Sequence, residues 1–530
     1  MRRRAFLATT AAAALACKRK APPITGSILG PSMELGHRLR DLKVPEATSF
    51  EEVEVLIVGA GVAGLSAAWR LAGGGFTDFL VLELETEVGG TARGGRNGIS
   101  PYPWGAHYVP APTRENPALL RLLQEAGVAQ GFDAGGEPVF GEQFRVRAPE
   151  ERVFALGQWW EGLYLRAGAS AEDERQYHAF FREIETWSAW RDARGRSAFA
   201  IPRAKGSDDP AVKALDQISF RAWVEQRGFT SERLLWLLDY ACRDDYGARL
   251  DTTSAWAGLF YFAARKQGPG EDSRPLLVWP EGNAFLVEEL RSGFPERIRT
   301  GVAVAQIRNT GPARIEVHAL EAASGKVLGY RVKWVVFAGP QHVAAHVIPG
   351  RPLAAGAFSQ SPWLVVNLTL RDRPKGGGFP LAWDNVIRES ESLGYVVATH
   401  QSLRDYGPTV WTWYHPFPDQ DLRAARQRLT DLDWAACVKL ALEDLRKAHP
   451  DLESLVAKAE VMKWGHGMIR PSPGFCWGET LRRAALPHGG IHFAHTDLSG
   501  LALFEEAMDH GLRAAEEVLG ALSRPQPSWR

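Results

Sequence analysis

The stretch that decides the fold is Val53–Arg93, which reads VEVLIVGAGVAGLSAAWRLAGGGFTDFLVLELETEVGGTAR. Its apolar run Val53–Val58 has the pattern of a buried parallel strand, and Gly59, Gly61 and Gly64 take the glycine positions of GxGxxG where a helix begins. The first glycine of this motif permits a tight turn, the second lets backbone approach a pyrophosphate, and the third lets the helix pack on the strand. Free N–H groups at the helix N-terminus then bind the phosphates. The stretch therefore predicts a dinucleotide-binding β-α-β unit.

The second strand of this unit supports the same interpretation. Phe79–Leu82 is apolar and is followed by Glu83, about 20 positions after Gly64, which is the offset of a carboxylate that binds ribose. Glu85 is the alternative carboxylate, but it points to the same face one step later along the strand. We therefore expect Glu83 to bind the ribose hydroxyls.

The composition excludes several classes of protein. The chain has 530 residues, of which 45% are hydrophobic and 23% charged, and these values are typical of a globular protein with two or more domains. The formal net charge is 0, so nothing attracts the chain to nucleic acid, and we expect no nucleic-acid partner. There is no run of 18 or more apolar residues that could span a bilayer as a helix.

The N-terminus has the pattern of a targeting segment. Arg3–Leu7 reads RRAFL and an alanine-rich stretch follows up to Cys17, so residues 1–17 resemble a twin-arginine export signal. This resemblance implies export to the periplasm of a protein that is already folded and loaded with its cofactor. Ala14–Ala16 before Cys17 resemble a lipobox, so two outcomes are open, acylation of Cys17 or cleavage without a lipid. Lipid at Cys17 would be the protein's membrane contact, and residues 18–50 would be a hydrophilic linker.

Three further cysteines, Cys242, Cys437 and Cys476, are scattered along the chain. An odd, widely spaced set does not make a disulfide framework, even in an oxidising compartment. The sequence also contains no metal-ligand spacing. We therefore expect no metal site, and three buried thiols that pack as small hydrophobic side chains.

The periodicity of apolar residues changes beyond Arg93. Between 116 and 266 they recur mostly at helical spacing, whereas over 276–338 and 363–463 they mostly alternate as in strands. Residues 490–520 return to a short strand, a polar loop and a long helix. This order predicts an α/β fold in which a Rossmann-like domain is interrupted by an α+β substrate domain, made of a helical insert and a mixed sheet.

Four segments carry a resemblance to a known family. Glu83–Arg93 contains an acid, a glycine pair and an arginine; Trp104–Pro110 reads WGAHYVP; Pro280–Leu290 reads PEGNAFLVEEL; and Gly490–Gly520 reads GIHFAHTDLSGLALFEEAMDHGLRAAEEVLG. Together they resemble the flavin-dependent amine oxidase superfamily, which includes amine oxidases, protoporphyrinogen oxidases and carotenoid desaturases. The resemblance spans nearly the whole mature chain. It implies that the cofactor is FAD, held in an interrupted dinucleotide-binding domain.

The resemblance also implies domain boundaries and binding roles. After the signal (1–17) and the linker (18–50), the FAD-binding domain comprises 51–112, 271–350 and 481–523, and the substrate domain comprises the helical insert 113–270 and residues 351–480. Gly105 and Ala106 would lie beside the flavin, Val304 would contact adenine through its backbone, and Asp497, displaced by one position from the family's acid, would serve the ribityl chain. The implied cofactor-binding residues are Gly59, Gly61, Gly64, Glu83, Gly90, Arg93, Gly105, Ala106, Val304, Asp497, Ala507 and Met508.

The C-terminal helix has two interpretations. The resemblance places Glu506, Ala507 and Met508 at a helix N-terminus against the flavin N1 and C2 carbonyl, where a positive helix end would stabilise the anionic reduced flavin. Alternatively, Leu501–Leu519 is an amphipathic helix that simply closes the domain.

The chain departs from the family at positions that matter for catalysis. Many amine oxidases of the family carry a lysine on the strand that corresponds to Ser361–Leu370, and this strand contains none. Asn367 is the polar residue nearest that position, unless it is an edge-facing solvent residue. His466 lies near the place of the family's covalent-flavin cysteine, so it could be a tether, a base or a structural residue, and His495 is a second candidate base. The cluster Tyr240–Gly247, YACRDDYG, either faces the substrate or forms a charged helix end at the surface.

The function implied is hydride transfer from a small organic substrate to N5 of FAD. An amine is the first expectation, and dehydrogenation of a C–C bond in desaturase or protoporphyrinogen-oxidase fashion is the second. A flavin-loaded binding protein without turnover is the alternative from another class. The electron acceptor would be oxygen or a respiratory carrier. NADH is disfavoured as a donor, because two-nucleotide enzymes need a second GxGxxG fold and only one follows a strand here.

Overall fold

The structure, a computed structural model, describes residues 23–41, 46–266, 273–353 and 355–530. The expected export signal, including Cys17, lies outside these residues. The helices of the described residues are α1 (Met33–Asp41), α2 (Val62–Gly73), α3 (Pro117–Glu125), α4 (Ala171–Ala189), α5 (Pro210–Ala214), α6 (Phe220–Gln226), α7 (Glu232–Tyr246), α8 (Ala255–Ala263), α9 (Ala284–Arg291), α10 (Gln341–Val347), α11 (Leu422–Asp431), α12 (Trp434–Leu445), α13 (Leu452–Leu455), α14 (Glu479–Ala484) and α15 (Phe504–Ala521).

The strands are distributed over the whole length of the described chain. They are β1 (Ile28–Gly30), β2 (Glu51–Glu52), β3 (Val55–Val58), β4 (Phe79–Leu82), β5 (Gly94–Arg96), β6 (Pro101–Pro103), β7 (Tyr108–Pro110), β8 (Ala129–Phe132), β9 (Pro138–Phe140), β10 (Glu151–Ala155), β11 (Gln158–Glu161), β12 (Leu276–Val278), β13 (Ile298–Arg299), β14 (Val302–Gly311), β15 (Arg314–Glu321), β16 (Val327–Val332), β17 (Trp334–Phe337), β18 (Gln360–Leu370), β19 (Asp384–Ile387), β20 (Tyr395–Val397), β21 (Thr409–Pro416), β22 (Val456–Ile469) and β23 (Ile491–Phe493).

The first domain is built on a parallel five-stranded sheet, in the order β13-β4-β3-β17-β23. Every residue of β3 and β4 is buried, as the continuous apolar runs predict for strands covered on both faces. The five strands come from three separate stretches of sequence, so the interrupted Rossmann-like domain predicted from the sequence is confirmed.

The C-terminal helix packs directly on the helix that follows the glycine turn. A Cβ atom at Gly511 of α15 would lie 2.2 Å from the carbonyl oxygen of Ala63 in α2, so the two backbones approach as closely as glycine allows. On the other side of the parallel sheet lies the antiparallel sheet β14-β15-β16, to which β2 adds a parallel edge strand. Because α15 packs on α2, the C-terminal part of the sequence meets the N-terminal glycine turn in the first domain.

The second domain is built on an eight-stranded mixed sheet, in the order β1-β22-β18-β21-β20-β19-β10-β11. The helices α4 to α8 pack beside it around an aromatic core that includes Phe180, Trp223 and Phe260. The helical insert expected over 113–270 is therefore only partly helical, because β10 and β11 from this segment join the sheet. These two strands are short and are joined by a tight turn with positive φ at Leu156 and Gly157, so their alternation is weak in the sequence.

The segment expected to be a linker, residues 18–50, is packed against both domains in its described part. β1 pairs in parallel with β22 at the edge of the eight-stranded sheet, and α1 follows immediately. Further on, the backbone N–H of Ala47 donates to Nδ1 of His318 at 3.0 Å. This part of the chain is therefore ordered structure rather than a tether.

Three further features of the described residues concern free thiols, membrane-spanning helices and metal-binding clusters. Cys242, Cys437 and Cys476 are buried free thiols. Within the described residues, no helix is long and apolar enough to cross a bilayer. The same residues contain no group of three or more His, Cys, Asp and Glu side chains arranged to hold a metal ion.

Candidate active site

A cleft of about 1800 Å³ extends from the parallel sheet of the first domain to the mixed sheet of the second. Of the residues named from the sequence, the cleft is lined by Gly59, Gly61, Glu83, Gly90, Gly105, Ala106, Val304, His466, His495 and Ala507. The other predicted residues, Gly64, Arg93, Asn367, Asp497 and Met508, do not line it.

The glycine turn forms a cradle at the start of α2. Gly59 has φ of +101°, which favours glycine, and Gly61 is the N-cap with no side chain capping the helix. A Cβ atom at Gly61 would meet nothing closer than the Cα of Gly90 at 3.9 Å, so this face of the turn is open to a ligand. At Gly64 a Cβ atom would lie 1.8 Å from the carbonyl oxygen of Gly59. Gly64 therefore acts through helix packing and not through contact with the ligand.

Glu83 is held at the end of β4 beside this cradle. Its carboxylate accepts the backbone N–H of Ala60 at 2.6 Å and that of Glu85 at 2.9 Å. Burial raises the pKa of Glu83. Glu85, the alternative acid, instead accepts two hydrogen bonds from Ser32 and forms an ion pair with Arg93 at 3.4 Å. The side chain of Arg93 thus supports the wall of the cleft from behind.

The loop that contains Gly105 and Ala106 is fixed by the turn before α9. A Cβ atom at Gly105 would lie 2.2 Å from the carbonyl oxygen of Thr91, so only glycine fits. Asn283 donates its backbone N–H to the carbonyl of Ala106 at 3.1 Å and its side-chain amide to that of Tyr108 at 3.0 Å. Asn283 therefore positions this loop.

The loop before α15 brings polar groups to the cleft. His495 lines the cleft and accepts the backbone N–H of Asp497 through Nδ1 at 3.1 Å. Asp497 itself is 1% exposed, and its Oδ2 accepts the backbone N–H of Gln341 and the amide of Gln360, both at 2.8 Å. Burial raises its pKa, but His495 and these hydrogen bonds outweigh burial and lower the pKa to about 2. The carboxylate therefore braces the cleft wall, and direct contact with a ribityl chain stays a prediction.

The N-terminus of α15 is open toward the cleft. Leu503 caps this helix without a side-chain hydrogen bond, and Ala507 in the first turn lines the cleft. Met508 is 1% exposed and packs in the core of the first domain. Two uncapped helix ends, those of α2 and α15, thus face one elongated cleft with Glu83 beside the first. This arrangement fits the phosphates, ribose and flavin ring of FAD.

The three catalytic candidates occupy different environments. Asn367 is buried and satisfied, since its amide donates to the carbonyl of Pro103 at 3.0 Å and accepts from Thr412 at 2.7 Å. Asn367 contacts neither the cleft nor the solvent, so its role is to join two parts of the protein through these hydrogen bonds. His466 lines the cleft and stacks on His342 with ring centroids 4.2 Å apart. Burial and His342 lower its pKa to about 3, which keeps the imidazole neutral.

Aromatic side chains from both domains form one wall of the cleft. His107 stacks on Tyr414 at 5.0 Å between centroids and lies 5.4 Å from Trp383. Tyr108 packs edge-on against His107 at 5.2 Å. Burial lowers the pKa of His107 to about 4, so this wall is uncharged. Trp383 and Tyr414 were not predicted, because they come from the second sheet, far away in sequence.

Besides Glu34, Glu83 and Glu85, four carboxylates line the same cleft. Asp244 and Asp245 end helix α7, Asp384 begins β19, and Glu505 lies in the first turn of α15. Arg265 donates two hydrogen bonds to Asp245, at 2.6 and 2.8 Å, and neutralises it. The YACRDDYG cluster therefore faces the cleft and not the outer surface.

The remaining three carboxylates have no such partner. Within the described ranges, no salt bridge joins Asp244, Asp384 or Glu505 to a basic side chain, and Oε1 of Glu505 has no hydrogen-bond partner. Tyrosine hydroxyls approach two of them at 3.4 Å, Tyr261 at Asp244 and Tyr240 at Asp384. Burial raises the pKa of each carboxyl, to about 7 for Glu505. This end of the cleft favours a cation, whose charge would offset the cost of burying ionised carboxylates.

The sequence and the fold are each similar to those of known proteins. A 75-residue stretch is 41% identical to the peroxisomal N(1)-acetyl-spermine/spermidine oxidase of Homo sapiens and covers 14% of each protein. The fold resembles that of putrescine oxidase bound to putrescine, with TM-score 0.65, 16% identity and 89% and 100% of the two chains covered. It also resembles a CLA-producing fatty acid isomerase from P. acnes, with TM-score 0.60, 14% identity and 88% and 98% covered.

The family assignment depends on a match over most of the sequence. Residues 62–519 match the profile of the family described as flavin containing amine oxidoreductase. The matched stretch begins at the first residue of α2 and includes α15 and the cleft carboxylates Asp244, Asp245, Asp384 and Glu505. The chain belongs to the flavin-containing amine oxidoreductase family and is an FAD-dependent oxidoreductase.

Proposed function

We propose that the protein oxidises an amine that carries a second positive charge. The observation that supports this proposal most directly is a group of three carboxylates that form no salt bridge within the described residues. Glu505 is buried, Asp244 and Asp384 are half-buried, and all three line the same cleft as the expected cofactor-binding residues. An amine with two nitrogens can place one charged nitrogen against Asp244 and Asp384, while the other nitrogen loses a proton to Glu505 and reacts as the free base. The aromatic side chains of His107, Tyr108 and Tyr414 line the cleft and would hold the carbon chain between the two nitrogens, with Trp383 packed against His107 and Tyr108.

The chain supplies binding and orientation for this reaction. Bound FAD accepts a hydride at N5, which is chemistry of the cofactor itself. The open N-terminus of α2 would hold the phosphates, Glu83 would hold the ribose, and the N-terminus of α15 would stabilise negative charge on the reduced flavin. Gly105 is fixed by Tyr414, whose hydroxyl donates to its carbonyl at 2.9 Å, so the aromatic wall and the ring-binding loop form one rigid unit.

The base that deprotonates the reacting ammonium is a cleft carboxylate in this account. His466 and His107 have pKa values lowered by burial to about 3 and about 4, so they are weak bases. Glu505, with a pKa raised by burial to about 7, matches a proton-transfer role near neutral pH. We therefore assign to Glu505 the role of the base that accepts the proton of the reacting ammonium. His495 is the alternative base, since His495 lines the cleft from the adjoining loop.

A second candidate is dehydrogenation of a C–C bond. It is favoured by the absence of lysine from β18, Gln360–Leu370, and by the apolar side chains of Trp363, Val365 and Val396 that line the cleft. The third candidate is a flavin-loaded protein that binds a ligand without turnover.

The three candidates differ in an anaerobic substrate panel. The holoprotein is mixed without oxygen with a diamine, a matched monoamine, an unsaturated fatty acid and a porphyrinogen, and the visible band of oxidised flavin is followed. Amine oxidation predicts that the diamine bleaches the band faster than the monoamine. Bleaching by the fatty acid or porphyrinogen alone would support C–C dehydrogenation. Bleaching by dithionite but by no organic compound would support the binding protein.

We also propose export through the twin-arginine pathway to the periplasm, with oxygen or a respiratory carrier as the electron acceptor. The proposal is supported by the RRAFL sequence at Arg3–Leu7 and by the alanine-rich stretch before Cys17. Fractionation of cells that produce the wild type or Arg3→Lys/Arg4→Lys tests it, since the double variant should stay in the cytoplasm. Labelling with a radioactive fatty acid distinguishes acylation of Cys17 from simple cleavage.

A further inference from the structure

The N-terminal segment Thr25–Asp41, here called the strap, lies along the cofactor cleft. It contains β1 and α1, and its residues from Ile28 to Arg40 line the same cleft as Gly59 and Glu83. The match to the family begins at residue 62, well after the strap ends. The strap therefore lies outside the residues matched by the family.

One end of the strap is attached to the second domain. The carbonyl of Thr25 accepts the N–H of Ala459 at 2.8 Å, and that of Ser27 accepts the N–H of Val461 at 3.0 Å, so the strap extends the eight-stranded sheet. Between them, Gly26 has φ of +150°, and a Cβ atom there would lie 1.7 Å from the carbonyl oxygen of Ala459. Only glycine at this position allows the strap to dock.

The middle of the strap is attached to the first domain, beside the expected ribose site. Ser32 donates its backbone N–H to Oε1 of Glu85 at 2.8 Å and its hydroxyl to Oε2 at 3.2 Å. Glu85 in turn donates its backbone N–H to Glu83 at 2.9 Å. The strap is thus one hydrogen-bonded residue away from the carboxylate that we expect to bind ribose.

Helix α1 then runs along the cleft. Leu35 and Leu39 are half-buried and one helical turn apart, so this face packs against the protein. His37, Arg38 and Arg40 are exposed and line the cleft. Arg38 and Arg40 add positive charge, and Glu34 of the same helix adds one negative charge, to a cleft that must hold the two phosphates of FAD.

We propose that the strap retains the cofactor: it closes over the adenosine half of FAD, and FAD leaves only after the strap undocks from β22 and Glu85. The attachment to both domains supports this, because a segment held on each side of a cleft obstructs its mouth. The proposal depends on FAD binding by this fold and is independent of which substrate is oxidised.

The rate of FAD release tests the proposal. Flavin fluorescence is followed after dilution of wild-type, Gly26→Val and Gly36→Ala holoproteins. Gly36→Ala is the matched control, because a Cβ atom at Gly36 has no atom within 4 Å. We expect Gly26→Val to release FAD about tenfold faster than the wild type and Gly36→Ala to match the wild type. Equal release from Gly26→Val and the wild type would overturn the proposal, as would slower release, which would mean that the strap competes with FAD.

A second measurement uses only the wild type, so it does not depend on the folding of a variant. The apoprotein and the holoprotein are treated briefly with trypsin, and cleavage after Arg38 and Arg40 is quantified by mass spectrometry. Both arginines are exposed in α1. If the strap closes over FAD, the cofactor should slow cleavage at both sites relative to sites elsewhere in the chain. Equal cleavage in the two forms would contradict the proposal.

Discussion

At the scale of single residues, Glu505 has the environment with the clearest consequence for pH dependence. It is 3% exposed, one of its oxygens has no hydrogen-bond partner, and burial raises its pKa to about 7. The folded protein therefore binds this proton more tightly than the unfolded chain, whose glutamates titrate near pH ~4.5. The free energy of unfolding falls as pH rises through the interval between the two pKa values.

Replacing Glu505 by glutamine should remove this loss of stability. Glu505→Gln is expected to be more stable than the wild type at pH ~8, by at most on the order of 3 kcal/mol, and no more stable at pH ~4.5. Denaturant titration of both proteins at the two pH values measures the difference. Glu87→Gln, at an exposed position, is the control and should change stability equally at both. A Glu505→Gln effect that is the same at both pH values would contradict the assignment.

The sequence predicts some residues of the site and not others, for a physical reason. Glu83 and the glycines follow from spacing within one local β-α-β unit, so the sequence alone locates them. Asp384 and Tyr414 reach the cleft only through pairing of β19, β20 and β21, strands whose neighbours cannot be deduced from local periodicity. For Asp497, the sequence locates the residue but does not show that its Oδ2 accepts hydrogen bonds from Gln341 and Gln360.

At the scale of elements, the glycine turn makes two neighbouring glycines act differently. Gly61→Ala adds a methyl group that the protein itself accommodates, since the nearest atom is 3.9 Å away, but the methyl group projects into the phosphate cradle. Gly64→Ala places its methyl group 1.8 Å from the carbonyl oxygen of Gly59 and must displace α2 from β3. We expect Gly61→Ala to fold with wild-type apoprotein stability but to bind FAD about tenfold more weakly.

Gly64→Ala is expected to lose stability in the apoprotein itself. Thermal denaturation of both apoproteins, followed by FAD titration, separates the two effects. Wild-type FAD affinity in Gly61→Ala would show that the phosphates bind elsewhere. A stable Gly64→Ala apoprotein would show that the packing of α2 on the turn is looser than the structure indicates.

The elements themselves were predicted with unequal success. Strands β3 and β4 and the long helix α15 were found because their patterns are long or strongly apolar. The eight-stranded sheet was predicted only as a mixed sheet, and the contributions of β1, β10 and β11 were missed. Each of these three strands has at most five residues and pairs with a strand more than 200 positions away or through a tight turn. Local alternation cannot specify such pairing.

At the scale of the whole molecule, the C-terminal end of the described chain folds back onto the first domain. At the C-terminus, the ring of Trp529 lies 4.7 Å from that of Trp69 and beneath the guanidinium groups of Arg70 and Arg121, at 4.6 and 4.1 Å. Gly73 leaves the space for this ring, since a Cβ atom there would lie 2.1 Å from it. The C-terminal residues thus pack against the end of α2 that is opposite its glycine turn.

Removing this ring should weaken the first domain without changing the site. Trp529→Ala is expected to lower the free energy of unfolding by about 2 kcal/mol, through lost packing and cation–π contacts, with FAD affinity unchanged. Leu486→Ala, at a side chain that is 59% exposed, is the control and should change stability little. Denaturant unfolding measures both variants, and equal stability of Trp529→Ala and the wild type would show that the C-terminal contacts contribute nothing.

The strap gives the N-terminus a related role in the whole molecule. If the protein is exported as proposed, FAD lost outside the cytoplasm could not readily be replaced. A segment that slows FAD release would then preserve activity after export. Gly26→Val protein recovered from the periplasm should therefore carry less flavin per polypeptide than the wild type. Equal flavin content would show that the strap does not retain FAD in the cell.

The central claim is that the carboxylate-lined end of the cleft binds the charged end of an amine while FAD receives its hydride. Single-turnover reduction of the flavin tests it most directly, in wild type, Asp384→Asn and the exposed control Glu389→Gln, with a diamine and a monoamine under anaerobic conditions. The account predicts that Asp384→Asn raises the diamine concentration needed for half-maximal reduction about tenfold and leaves the monoamine nearly unchanged. Equal diamine dependence in wild type and Asp384→Asn, at equal flavin content, would contradict it.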